Sequence, residues 1–125
     1  MTIVVKRVYE PPGPDDGARV LVDRLWPRGV SKEHAHLDRW CKEVAPSTEL
    51  RQWFHHDPDL FAEFERRYRA ELAGNPEVAE LAALGAGDDR LTLLYSAHDT
   101  EHNQALVLRD VLLDYLEETA SGSDA

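Results

Sequence analysis

Short runs of consecutive apolar residues alternate along this chain with segments in which apolar residues recur every three or four positions. Residues 2–9, 19–23 and 91–95 contain runs of the first kind, are rich in β-branched, aromatic and leucine side chains, and each predict a strand. Val20-Leu21-Val22 is apolar without a break, which predicts a strand buried on both faces. Strands that alternate with helices favour an α/β fold with a small, mostly parallel sheet.

Helical periodicity dominates the rest of the chain. Helices are expected to begin at Pro46-Ser47, at Asp57-Pro58 and at Asn75-Pro76, where a capping side chain or a proline marks the first turn. The last of these three is expected to end near Gly85. A long terminal helix is predicted from about residue 101 to residue 118, with leucines facing inward.

Two connecting segments leave the topology open. Residues 10–17 are rich in proline and glycine and predict a loop, but a parallel crossover usually takes a dozen or more residues. The first two strands are therefore either parallel or an antiparallel hairpin. Residues 37–44 fit a helix or an extended segment.

The length of 125 residues and the 42% apolar content fit one domain, placed at residues 1–118. A polar tail at residues 119–125 is expected to be disordered.

Charge and composition exclude several classes of function. The net charge is −10, with nine Lys/Arg against eight Asp/Glu in residues 1–56 and five against sixteen in residues 57–125. This balance disfavours nucleic-acid binding and places any anionic ligand in the first half of the chain. No apolar run of about 18 residues predicts a membrane span. With one cysteine, Cys41, and no secretory signal, a cytoplasmic protein is expected.

Polar and aromatic side chains follow two of the predicted strands directly. In open α/β sheets, ligands bind beyond the carboxyl ends of strands, and a helix N-terminus such as that of the terminal helix attracts anions. We therefore expect a site for a phosphorylated metabolite or nucleotide. Its expected ligand-binding residues are Arg24, Arg28 and Lys32 for charge, Trp26 for stacking, and Tyr95 and Asn103 for orientation. Asp99 and His102 are the candidate proton-transferring residues if a reaction occurs.

Other interpretations of the same residues stay open. Arg24 and Arg28 also suit a fold clamp in a non-catalytic interaction module, with Asp99 as a helix N-cap. Histidines at positions 34, 36, 98 and 102 suggest a metal-binding alternative, but no Cys-x-x-Cys or His-Glu-x-x-His motif accompanies them, so no metal ligand is assigned. Cys41 suits a small buried residue better than a nucleophile. No cofactor or oligomeric state follows from the sequence.

Residues 20–33, Val-Leu-Val-Asp-Arg-Leu-Trp-Pro-Arg-Gly-Val-Ser-Lys-Glu, resemble the YeaO-like branch of the domain-of-unknown-function family 488. Segments 42–47, 50–58 and 93–99 share this resemblance, which extends over about residues 3–115. It implies a small, single-domain, Rossmann-like three-layer α/β fold in bacterial or archaeal cytoplasm, with parallel pairing of the first two strands. It implies no particular reaction. More distant branches carry Cys-His-Arg near the last helix, whereas this chain has Glu101-His102-Asn103 and keeps only the histidine.

Overall fold

Four parallel strands form the sheet, and the two most apolar ones lie in its interior. The computed structural model describes residues 2–122, except for the side chains at positions 88, 121 and 122. Val20, Leu93 and Leu94 are completely buried, as expected for strands covered on both faces. The strands are β1 (Thr2–Arg7), β2 (Ala18–Leu21), β3 (Arg39–Trp40) and β4 (Arg90–Tyr95), in the order β1-β4-β2-β3.

The first two strands are not neighbours. Both pair in parallel with β4, so that Val5 and Val20 lie on either side of Leu93. The antiparallel hairpin that the sequence left open is therefore wrong, and the parallel arrangement implied by the family resemblance is confirmed. The connection between the two strands crosses from one side of β4 to the other without a helix.

Polar contacts around Asp16 hold this short crossover in place. The Thr92 hydroxyl on β4 donates to the Asp16 carbonyl at 2.7 Å, and the Asp16 carboxylate accepts from Lys6 at 3.2 Å and from the buried Arg19. Burial alone would raise the pKa of Asp16, but the hydrogen bonds from the Gly13 N–H, Lys6 and Arg19 together lower it. The ion pair takes the place of the packed helix that a longer crossover would supply.

Capping residues define most of the helices. Ser47 Oγ accepts from the Leu50 N–H at 3.1 Å, and Asn75 Oδ1 accepts from the Glu77 N–H at 2.9 Å, so both predicted starts are confirmed. Asp57 caps a 3-10 turn that leads into the next helix. The helices are α1 (Lys32–Ala35), α2 (Thr48–Phe54), α3 (Phe61–Leu72), α4 (Pro76–Asp88) and α5 (Gln104–Gly122), with 3-10 turns at Lys42–Val44 and Pro58–Leu60.

Two helix boundaries differ from the prediction. Helix α4 passes through the buried Gly85 and ends only where Asp89 adopts a left-handed conformation with φ 57°. Helix α5 starts at Gln104 and not near residue 101, because the preceding residues form a capped loop. It continues to Gly122, past residue 118, while residues 123–125 of the predicted tail lie outside the described residues.

The two faces of the sheet are covered unequally. Helices α3, α4 and α5 build the large core on one face, around Phe64, Tyr68 and Leu108. On the other face Leu21 and Leu94 meet a small cluster formed by the segment between β2 and β3. Among residues 2–122, no helix combines the length and the apolar character that a membrane span requires.

Candidate ligand-binding cavity

A cavity of about 650 Å³ lies beyond the carboxyl ends of β2 and β4. The pairing of Leu21 with Leu94 places the loops that follow these two strands side by side. Residues near the ends of β1 and α2 complete the wall. The charged and imidazole side chains of the lining are those of Asp23, Arg24, Arg28, Arg51, His56, His98 and Asp99.

Asp23 forms the buried part of this lining. The Ser96 N–H donates to its Oδ2 at 2.9 Å, and the Gln104 side-chain amide donates to its Oδ1. Burial raises the pKa of Asp23, against the opposing effects of the Ser96 hydrogen bonds, the Arg51 charge and Gln104. Its backbone carbonyl accepts from Trp40 Nε1 at 2.8 Å. A single aspartate thus joins the end of β2 to the end of β4 and the start of α5.

The Arg24 side chain forms hydrogen bonds within the fold. Its Nε donates to the Pro46 carbonyl at 3.1 Å, and its Nη2 donates to the Ala45 carbonyl at 3.2 Å. These bonds tie the loop after β2 to the segment that leads into α2. Arg24 lines the cavity, but its donors already serve two buried residues.

Trp26 separates the cavity from the small apolar cluster on the second face. Its indole N–H donates to the Val30 carbonyl at 2.6 Å, which closes the loop on itself. Its ring meets Trp40 edge-on, with centroids 5.2 Å apart. Trp26 is therefore a lining residue of the cavity whose indole is held by Val30 and Trp40.

Among the described arginines of the cavity lining, Arg28 and Arg51 are the two whose guanidinium donors stay free. Arg28 is exposed, and the Tyr9 hydroxyl donates to its backbone carbonyl at 3.0 Å, which fixes the main chain and leaves the side chain free. Arg51 projects from α2 and influences Asp23 only through its charge. Within residues 2–122, neither guanidinium forms a hydrogen bond or an ion pair with a described group.

The loop between β4 and α5 is held by its own side chains and by Arg7. Arg7 Nε donates to the Ala97 carbonyl at 2.9 Å, and its Nη2 donates to the Ser96 carbonyl at 3.2 Å. Asp99 Oδ1 accepts from the N–H groups of Glu101 at 2.9 Å and His102 at 3.0 Å. The Glu101 hydrogen bond comes first among the causes that lower the pKa of Asp99, and the bonds from His102 add to it.

Side chains of the protein occupy some of the backbone donors at and before the start of α5. Asn103 Oδ1 accepts from the Leu106 N–H at 3.1 Å and caps the helix, while its Nδ2 donates to the Asp99 carbonyl at 3.0 Å. The backbone donors of Glu101, His102 and Leu106 are therefore occupied by side chains of the protein itself. These three donors are therefore not available to an anion, and the arginines of the cavity lining add positive charge.

Comparison with known proteins settles the family. The family model described as the inactive DUF488-N3 subclade matches residues 2–125. This chain belongs to that family. The resemblance read from residues 20–33 is thereby confirmed.

Three relatives are similar to this chain over most of its length. The chain is 51% identical over 112 residues to the uncharacterized protein YeaO of Escherichia coli (strain K12), across 90% of this chain and 97% of YeaO. It is 46% identical over 108 residues to the uncharacterized proteins Mb3100c of Mycobacterium bovis and Rv3073c of Mycobacterium tuberculosis, across 86% of this chain and 91% of each. No solved structure is significantly similar.

The DUF488 fold brings together half of the residues that the sequence suggests for a site. Arg24, Trp26, Arg28 and Asp99 line the cavity. The other four lie outside the lining: Tyr95 is buried, Asn103 is a buried cap, His102 stands edge-on to Phe61 at 5.3 Å, and Lys32 lines a separate groove beside Trp40.

The sequence alone does not reveal several lining residues. Arg51 and His56 come from α2 and the turn after it, and nothing in their helical spacing shows which strand end they face. Gln104 follows Asn103, but its own residue type carries no clear signal, and His98 is suggested by the sequence only as a possible metal ligand. The residue type of Asp23 does carry a signal, because a carboxylate directly after a fully apolar strand needs polar partners when it is buried.

Potential metal ligands come together away from the cavity. In the described part of the chain, the group of three such residues found is Cys41, Glu43 and Glu77, and no histidine belongs to it. The Cys41 thiol donates to Glu77 Oε2 at 3.4 Å. Burial, and then the Glu77 carboxylate, raise the pKa of Cys41 to about 11, so the thiol stays protonated. The expectation of a small buried cysteine is confirmed.

Proposed function

We propose that this protein binds a small anionic ligand, of the class of phosphorylated metabolites or nucleotides, in the cavity beyond β2 and β4. One observation carries this proposal: Arg28 and Arg51 line the same cavity, and neither guanidinium has a partner among the described residues. Guanidinium groups bind phosphate and carboxylate oxygens through paired, charge-assisted hydrogen bonds. A bound anion would supply the acceptors that the chain itself does not.

The charge distribution supports the proposal. The chain carries a net charge of −10, yet the cavity lining holds three arginines and two histidines against two aspartates. Arg24 already donates to backbone carbonyls, so Arg28 and Arg51 are the arginines of the lining that are available to an anion. The volume of about 650 Å³ suits a small molecule of the cytoplasm better than a nucleic acid.

The geometry favours binding without a reaction. Asp99 is engaged by two N–H groups and by His102 Nδ1, which lies 2.9 Å from its Oδ2. His102 lies outside the cavity lining and packs against Phe61. A proton-transferring group must reach its substrate, and this pair is better placed to cap a helix than to do so. The description of the matching subclade as inactive agrees with a binding role.

Titration calorimetry with inorganic phosphate and adenosine monophosphate tests the proposal. We expect saturable binding to the wild type, weakened about tenfold or more by R28A or R51A, because each change removes a charged hydrogen-bond donor worth about 1.5 kcal/mol or more. R66A is the matched control, since Arg66 lies exposed on α3 and pairs with Glu63. Absence of saturable binding to the wild type, or equal affinity in all four proteins, would overturn the proposal.

A further inference from the structure

We infer that the ligand carries hydroxyl groups in addition to its anionic group, and that Asp23 accepts hydrogen bonds from them. This inference rests on the proposed anion site and specifies its ligand as a hydroxyl-bearing phosphate ester, such as a sugar phosphate. It follows from the cavity having two chemically different regions. One is the exposed, cationic region around Arg28, and the other is the buried, acidic region at Asp23.

Asp23 lacks the partner that a buried carboxylate normally has. Buried charges in proteins are generally paired with an opposite charge and saturated with hydrogen bonds. Its side chain accepts hydrogen bonds from the Ser96 N–H and the Gln104 amide, the Ser96 side chain adds a further one, and it forms no ion pair with any described residue. An ionised carboxylate has about four acceptor positions, so about one stays open.

The open acceptor position of Asp23 has a second acceptor beside it in the cavity lining. Asp23 and Gln104 both line the cavity, and the Gln104 side-chain oxygen forms no hydrogen bond with a described group. Two neighbouring acceptors suit adjacent hydroxyl groups, each of which donates one hydrogen bond. A second anionic group would instead be repelled there, so the ester must place its phosphate toward Arg28 and Arg51 and its hydroxyls toward Asp23.

A pair of phosphate esters of equal charge tests the inference. A pentose phosphate carries free hydroxyls, whereas butyl phosphate carries none. For the wild type we expect the pentose phosphate to bind about tenfold tighter than butyl phosphate, because hydrogen bonds to a charged acceptor are worth about that factor. D23N should lose most of this preference, while R28A should weaken both esters by a similar factor and keep the preference.

The outcomes separate this inference from the proposed function. Equal affinity of the wild type for the two esters, or an unchanged preference in folded D23N, would overturn the role of Asp23 and leave the anion site standing. If neither ester binds, the anion site itself fails. Should D23N not fold, the wild-type comparison is still decisive, and Q104A provides a second variant at a half-buried position, with a reduced preference expected.

Discussion

Removal of the Arg24 guanidinium tests how the loop after β2 is fixed to the segment before α2. In R24A the buried residues Ala45 and Pro46 each keep a carbonyl that has lost its donor. Leaving one such group unsatisfied costs about 1–3 kcal/mol. Arg24 is itself partly exposed, so water compensates for some of the loss, and we expect a decrease of about 2–4 kcal/mol in the free energy of unfolding.

Urea denaturation followed by tryptophan fluorescence and by circular dichroism measures this change. The corresponding fall in the melting temperature is about 4 °C per kcal/mol for a domain of this size. R28A is the matched control, because it deletes an unpaired, exposed guanidinium of the same loop and should stay within about 0.5 kcal/mol of the wild type. R24K should recover part of the loss. If R24A is as stable as R28A, Arg24 is not a clamp and its guanidinium is free to serve the ligand.

Three further predictions concern groups outside the cavity or at its border. D16N should lower the stability by about 3–5 kcal/mol, because it leaves the buried Arg19 without its charged partner. Because the pKa of Asp16 is lowered in the folded protein, its contribution to stability is present above the ordinary value of 3.8 and is lost as the pH falls below it. The loss of stability in acid should therefore be smaller in D16N than in the wild type, and an equal loss in the two proteins would contradict this. At mildly alkaline pH, Cys41 should react with iodoacetamide far more slowly in the folded protein than in urea, because it is buried and its pKa is raised to about 11. Equal rates would show that the thiol is accessible in the folded protein. N103A should cost about 1 kcal/mol through the lost cap of α5, which urea denaturation measures, whereas N103D should retain most of the cap; a neutral N103A would contradict the capping role.

Local patterns in the sequence were sufficient to predict much of the fold. The apolar run at residues 20–22 and the largely apolar run at residues 91–95 correspond to the two interior strands. Caps such as Ser47 and Asn75 act within a single turn of chain. The order of the strands was not predictable in this way. It depends on a ten-residue crossover stabilised by a buried ion pair, and a loop composition alone does not show that Asp16 meets Arg19 and Lys6.

The candidate site was predictable only where residues follow strand ends. Arg24, Trp26 and Arg28 reach the cavity because β2 points them there, and Asp99 does so because β4 is its parallel neighbour. Arg51 lies on a helix whose docking is set by the whole core, so its contribution could not be deduced from spacing. His102 and Asn103 lie beside Asp99 in sequence, but the capped loop turns them toward α5 and Phe61 instead.

Titration of the protein with a pentose phosphate, followed by amide and arginine side-chain NMR signals, tests the anion site most directly. The structure predicts saturable shifts that cluster at residues 23–28, at the Nε–H of Arg28 and Arg51, and at residues 96–99, with little change in the signals of α3. Equal concentrations of sodium chloride should not reproduce the pattern. Shifts that fail to saturate, or that spread over the surface as chloride shifts do, would contradict a ligand site in this cavity.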